Sequence, residues 1–314
     1  MRRPLGVAAV IGVLAAAWAD NSVDALVRGK WVRHFDTGTG DQTATVCLPA
    51  HTSDELTPQI AGIPERIQGV QQAGATVVML DMDPAVLQPL ATEGHLQRLA
   101  EAGPIVVPTG LSGIAGSKLH EGDRAQTRQG VAQMAMGFPT ATEHAPLAMV
   151  GLALHTGAPA PARAGQVWSV AGHPSTPVDD HHLFMPYLIP FVHWTDTATW
   201  AQAKGRIVTF GACRVDRDLT LYGRQPTAVA PGEWIETMLA HQDPSRVPWW
   251  VDALLGLAVL GGSAIPGKRR FRGLGVVGVA VALGMSLAGW WMALTPVVLA
   301  AAFGIGLQLV SRRD

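Results

Sequence analysis

Charge is what this sequence lacks. Only 15% of its 314 residues are Asp, Glu, Lys or Arg, against roughly a quarter in ordinary soluble domains. Cysteine is rarer still, at 2 in the whole chain, which excludes a small domain stapled by many disulfides. Tyrosine also numbers 2, so the aromatic content rests on Trp and Phe. A net charge of −1 gives no support to a nucleic-acid binder or an acidic tail. Apolar residues are not in deficit: they make up 48% of the chain, and the mean hydropathy of +0.22 rules out disorder. The length suits one large domain or two modest ones.

The apolar residues collect in four runs. Pro4 to Trp18 is uninterrupted, Trp249 to Pro266 holds one acid (Asp252), Gly273 to Met292 carries no charge and only Ser286 as a polar member, and Ala293 to Val310 carries only Thr295 and Gln308 as polar members. The last two reach the length of about 20 residues that a helix needs to cross hydrocarbon; the first two are shorter. The expectation is therefore four transmembrane helices, one N-terminal and three C-terminal. Basic residues lie between and beyond the runs: Arg2 and Arg3, then Lys268, Arg269, Arg270 and Arg272, then Arg312 and Arg313. All fall on one side of a four-pass chain, which the positive-inside rule makes the cytoplasm. Trp18, Trp249, Trp250, Trp290 and Trp291 fall together at the opposite ends, as interface anchors would. The resulting localisation is a bacterial inner membrane, with both termini cytoplasmic, the large domain periplasmic and lipid as a partner. Ala17-Trp18-Ala19 ahead of Asp20 also fits a signal-peptidase site, and cleavage there would leave three spans. The domain division is 1–19, 20–248 and 249–314.

Residues 20–248 read as an α/β domain. Thr43 to Leu48, Ala75 to Leu80, Pro104 to Pro108 and Arg206 to Phe210 are short, nearly continuous apolar runs, as strands buried on both faces require. Helical stretches separate them: Glu55 to Gln72, Asp83 (an N-cap followed by Pro84) to Ala102, Thr195 to Ala203, and Pro231 to His241. Pro146 to Leu154 and Gln166 to Val170 read as further strands, antiparallel additions to the sheet, and Gly110 to Gly130 as a long loop. The alternation predicts a mixed, mostly parallel sheet flanked by helices.

A buried strand ending in acid (Gly74 to Asp81) is followed much later by Gly205-Arg206-Ile207-Val208-Thr209-Phe210-Gly211, with Asp216 and Asp218 beyond it. Pro226-Thr227, Pro231-Gly232 and Ile235 then lead into a helix and the C-terminal apolar runs. This order resembles the second type of CHASE sensor domain (cyclases/histidine kinases associated sensory extracellular). The resemblance implies an extracytoplasmic α/β sensory domain held by one N-terminal and three C-terminal spans. Two features depart from the family. Ile63-Pro64-Glu65-Arg66 keeps only the proline and an arginine of its Trp-Pro-Arg stretch, and Phe138 to Pro146 lacks its acid-rich central turn. Only four residues follow Val310, so the expectation is a sensor without a cytoplasmic effector.

Candidate chemistry is sparse. Asp81 and Asp83 sit at the carboxyl end of a strand, where open α/β sheets bind ligands. Asp216 and Asp218 follow another strand and could converge with them on a cation or a polar ligand; capping and solvated loops are the alternatives. Asp179, Asp180, His181 and His182, with His173 and His193, are zinc-type ligands without the fixed spacing of a helical metal motif. Gly110 to Ser117 lacks both P-loop and dinucleotide spacing. Cys47 and Cys213 lie near the ends of two core strands, and either a disulfide or two separate buried thiols fits. No nucleophile–base pair is visible, so the expectation is no catalysis, no cofactor and no metal. The protein would act by binding, relaying to or docking on a membrane or periplasmic protein partner, with its small-molecule ligand unknown. A structural accessory subunit of a larger membrane complex is the alternative.

Overall fold

A computed structural model of the chain describes residues 2–18, 38–48, 60–111, 118–124, 126–127, 136–139, 142–175, 181–182, 187–193, 195–213, 217–220, 223–240, 245–264, 274–287, 290–291 and 294–311. Its centre is one sheet of six strands: β1 (Thr43–Leu48), β2 (Val77–Asp81), β3 (Ile105–Pro108), β4 (Leu119–Gly122), β5 (Phe191–Val192) and β6 (Ile207–Ala212). Their order is β5-β1-β6-β2-β3-β4, and every neighbouring pair is parallel. The antiparallel strands expected as additions to this sheet lie apart from it, as in the small three-stranded sheet of Ala162–Ala164, Val167–Val170 and His173–Ser175.

Helices cover both faces of the main sheet. Alternate side chains of each strand point to opposite faces, so Ala44, Val46, Leu48, Val78, Leu80, Val208 and Phe210 pack against α2 (Ile63–Gln72), α3 (Pro84–Thr92) and α4 (His95–Ala102). Val77, Met79, Val106 and Ile207 face α5 (Leu147–Thr156) and α6 (Ala230–Leu239). Each fully buried large aliphatic or aromatic side chain contributes roughly 1.5–3 kcal/mol on leaving water.

Three local expectations change. The stretch from Asp83 to Ala102 is two helices, because Gly94 takes a left-handed conformation (φ +69°) and breaks the run between α3 and α4. Pro146 to Leu154 is not a strand but the start of α5. Its residues are apolar at almost every position, so period alone cannot separate buried helix from buried strand. Leu, Ala and Met favour helix there, and Gly157 (φ +67°) ends it with a left-handed C-cap. Within the expected long loop, Leu119–Gly122 forms an edge strand of the main sheet.

The four apolar runs give α1 (Arg2–Trp18), α7 (Trp249–Ala264), α8 (Leu274–Leu287) and α9 (Thr295–Ser311). These pack together around Ala9, Val13, Val259, Leu260, Val297 and Ala300. A Cβ on Gly256 would stand 2.6 Å from Val13 Cγ1, and one on Gly278 2.8 Å from Val297 Cγ1, so both glycines set how closely the helices approach.

The expected four transmembrane helices are corrected by their lengths. Among the described residues, no helix is long and apolar enough to cross a membrane. The four have 17, 16, 14 and 17 residues. At 1.5 Å per residue, 17 residues extend about 26 Å, short of the roughly 30 Å of hydrocarbon. The apolar run is longer than the helix it makes. Gly273 to Met292 contributes only Leu274–Leu287, and Trp290–Trp291 is instead extended and pairs with Ser245–Arg246. The expectation of a multi-pass inner-membrane protein, with a periplasmic domain and cytoplasmic termini, falls with the spans. Asp252, expected to reach an interface from the first turn of its run, is buried.

Candidate functional site

The carboxyl ends of the parallel strands carry a cluster of charged and polar side chains. The chain leaving β1 and the chain leaving β2 enter helices on one face, while the chain leaving β6, which lies between them, enters α6 on the other. Such a divergence marks the end of the sheet at which open α/β folds bind ligands. Cys47 near the end of β1 and Cys213 just past β6 are joined there by a disulfide, with Cα atoms 5.2 Å apart. A Cβ on Gly211 would stand 2.6 Å from the Ala228 Cβ and 3.0 Å from the Asp81 carbonyl oxygen. Glycine is what lets the chain entering α6 lie directly on the end of β6.

Asp81 ends β2, and its side chain is only 1% exposed. Arg124, two residues beyond β4, reaches across β3 and donates from Nε to Asp81 Oδ1 at 2.7 Å. The Arg124 backbone is held by its neighbour. Asp123 N–H donates to the Ala145 carbonyl, and Leu147 N–H to the Asp123 carbonyl. The Thr109 hydroxyl, just past β3, donates to Asp123 Oδ1 at 2.7 Å, with His144 Nδ1 3.9 Å from the same oxygen. Asp83 caps α3, accepting the Ala85 N–H at 2.8 Å. An arginine spanning two strands cannot be read from sequence, because nothing local to Gly122-Asp123-Arg124 names Asp81 as its partner.

The opposite edge of the sheet carries a second polar network, equally invisible in the sequence. Glu236 Oε1 on α6 accepts the Gln42 N–H at 2.9 Å and the Thr43 hydroxyl at 2.8 Å. Burial pushes the Glu236 carboxyl up, and Asp41 adds to this, against the hydrogen bonds to Thr43 and Gln42 that lower it. Glu233, one turn earlier and also buried, accepts the Tyr187 N–H at 3.2 Å. His155 at the end of α5 lies 2.6 Å through Nδ1 from the Thr76 hydroxyl and 3.2 Å through Nε2 from Gln42 Oε1; burial lowers its pKa. This network joins α5 and α6 to the starts of β1 and β2. The one available sequence signal was a pair of acids on an otherwise apolar helix.

The remaining expected residues are not brought to these strand ends. Asp216 lies outside the described residues. Asp218 lies in a separate hairpin, Arg217–Thr220 with Gly223–Pro226. Asp179 and Asp180 lie outside the described residues, His181–His182 pair with Phe138 and Pro139, and no metal-binding group of His, Cys, Asp or Glu is found among the described residues. Gly110 and Leu111 are described, whereas 112–117 are not.

Trp249, Trp250 and Trp290 are exposed. Trp18 ends α1, and Trp291 pairs with Arg246. Arg2 and Arg3 open α1, and Lys268, Arg269, Arg270, Arg272, Arg312 and Arg313 lie outside the described residues. The outside of the four-helix unit is apolar: Val7, Ile11, Leu254, Val277, Val298 and Ile305 are all exposed. Gly6, Gly261, Gly284 and Gly306 have nothing within 4 Å of an added Cβ. Among family models, curated proteins and solved structures, none matches this chain.

Proposed function

We propose that this protein works by binding, as a CHASE-like sensory or interaction module that docks on a partner protein and passes its state to it, without catalysis of its own. The observation that carries the reading is the outer surface of the four-helix unit. Val7, Ile11, Leu254, Val277, Val298 and Ile305 are each exposed on these helices, and large exposed apolar surface on a protein marks an interaction site. The occupant we infer is a partner protein that presents apolar helices of its own. Gly6, Gly261, Gly284 and Gly306 leave room for another backbone to approach between the exposed aliphatic side chains.

A direct route for relay supports the sensory half of the reading. Helix α6 is held to β1 through Glu236 and is the last helix before α7 in the chain. A shift of α6 on the sheet would therefore reach the four-helix unit. The apolarity of all four helices favours a second reading, a permanent structural subunit of a larger protein complex, since obligate interfaces are more apolar than transient ones.

Affinity purification of the full chain in mild detergent, with quantitative mass spectrometry, tests the docking. A stoichiometric partner is expected with the native chain and is expected to be lost with the pair Val277→Glu/Ile305→Glu. A monodisperse lone chain that needs no detergent, or one that floats with protein-free lipid vesicles and recovers no partner, would overturn the proposal.

A further inference from the structure

The chain's two cysteines meet where the sheet passes into the C-terminal helices. Cys47 sits inside the ladder of β1, opposite Gly211 of β6, whereas Cys213 lies one residue beyond the last pair, Ala212↔Leu48. The ladder holds the two strands without the bond, so what the bond pins is the chain leaving β6. That chain passes through the hairpin of Arg217–Thr220 and Gly223–Pro226 and the turn Thr227–Val229 into α6. The turn returns to the pinned strand end: Ala228 is fully buried, and its Cβ stands 2.6 Å from where a Cβ on Gly211 would be. The excursion from β6 to α6 thus begins and ends at one place, with the disulfide at its start.

Cys47 is the one half-buried member of an otherwise buried strand, and Cys213 is 7% exposed. A thiolate must reach one sulfur of a disulfide to open it, which makes Cys47 the point of attack and Cys213 the leaving group. With no third cysteine in the chain, neither can pair elsewhere, and the ladder keeps their Cα atoms in place for reclosure. That closeness also gives Cys213 a high effective concentration against any mixed disulfide on Cys47. A monothiol is therefore expelled before a second one arrives, whereas a dithiol finishes the exchange by closing on itself. We propose that the Cys47–Cys213 bond is a redox lock on the entry to α6, opened by a small dithiol. One thiolate of the dithiol attacks Cys47 Sγ, the protein S–S bond breaks, and Cys213 leaves and takes up a proton. The second thiolate then attacks the dithiol's own sulfur in the mixed disulfide. Cys47 leaves and is protonated, and the dithiol, oxidised by two electrons, departs as a cyclic disulfide. Release of Cys213 lets the turn Thr227–Val229 move off Gly211, at the start of the helix proposed above to relay to the four-helix unit. The lock rests on that relay reading for its consequence alone.

The test uses the full oxidised chain in mild detergent without denaturant, with dithiothreitol as the dithiol and glutathione as the monothiol. Reduction is followed by alkylation and intact mass. Dithiothreitol is expected to open the bond at least tenfold faster than the chain unfolds by pulse proteolysis, and glutathione at equal thiol concentration to leave at least tenfold less dithiol protein. Glutathione disulfide should modify Cys47 in the Cys213→Ser chain at least tenfold faster than Cys213 in the Cys47→Ser chain. Methyl spectra of labelled alanine then read the lock itself. On reduction the Ala228 and Ala230 resonances are expected to move by more than a linewidth, while Ala91 and Ala100, on the other face of the sheet, stay in place. Should the reduced chain not stay folded, the same spectra of Cys47→Ser/Cys213→Ser supply the open state. Opening no faster than global unfolding, equal reactivity of the two cysteines, or unmoved Ala228 and Ala230 after verified reduction would each overturn the proposal. None of these measurements needs a partner, so a failure of docking leaves the lock standing and a failure of the lock leaves docking untouched.

Discussion

The Cys47–Cys213 disulfide offers the sharpest test of how this fold is held. The bond joins the ends of two adjacent central strands but closes 166 residues of chain. In the native state those strands are already fixed by the ladder from Ile207↔Thr43 to Ala212↔Leu48, so the crosslink adds little order there. Its effect falls on the unfolded chain, which loses the freedom to separate the two ends. The closed-loop entropy relation, applied to 166 residues, gives about 5 kcal/mol at 25 °C. Residual structure in the unfolded chain lowers this, and an effect of about 3–5 kcal/mol is expected. The perturbation is Cys47→Ala/Cys213→Ala, measured by urea unfolding against the oxidised native chain. The midpoint should fall, and the slope of stability against urea should rise, because an uncrosslinked unfolded chain exposes more surface. Native protein treated with reductant should match the double variant to within the cost of two small cavities. A loss below about 1 kcal/mol, with reduction verified by mass, would refute the reasoning.

Other outcomes follow from single contacts. Gly69→Ala should destabilise by about 1–3 kcal/mol in thermal melts, because a Cβ at that point of α2 falls inside the ring of Trp200, whose Nε1 is already committed to the His193 carbonyl; an unchanged Tm would mean that Trp200 does not pack there. Glu236→Gln keeps an oxygen to accept from Gln42 and Thr43 while removing a carboxyl whose pKa burial raises above 4.5. The folded state then holds a proton that the unfolded state releases, so native stability drops as pH rises from 4.5 through the raised value. The variant should match the native protein at low pH and exceed it at neutral pH, and urea midpoints across that range that stay equal would contradict this. His155 has the opposite sign: burial lowers its pKa below 6.5, so stability is lost as pH falls beneath that point. His155→Gln should flatten that limb of the stability profile, and an unaltered slope would count against it.

The sequence alone determined the parts of the fold whose cause is local. Thr43 to Leu48 is a β-branched, apolar run that forms the strand read from it, and Asp83-Pro84 caps a helix where the dipeptide predicts one. The α/β character with parallel strands was likewise legible, because strands that are apolar on both faces imply helices on both sides. The four apolar runs do form helices, but their length was not legible from composition. Hydropathy counts residues, whereas a helix ends where backbone pairing, as at Trp290–Trp291, takes the chain elsewhere. Leu147 to Leu154 failed for a related reason: a segment buried on all sides has no polar face from which to read a period. Charge scarcity pointed correctly to concentrated apolar segments and said nothing of how far each runs. Tertiary structure alone decided which polar groups meet. Arg124 reaches Asp81 from 43 residues away and Glu236 reaches Thr43 from 193. Cys47 and Cys213 become neighbours because β6, late in the chain, inserts between β1 and β2. Sequence spacing carries no trace of such pairings, since strand order is set by packing the whole sheet between its helices and not by any residue next to the site.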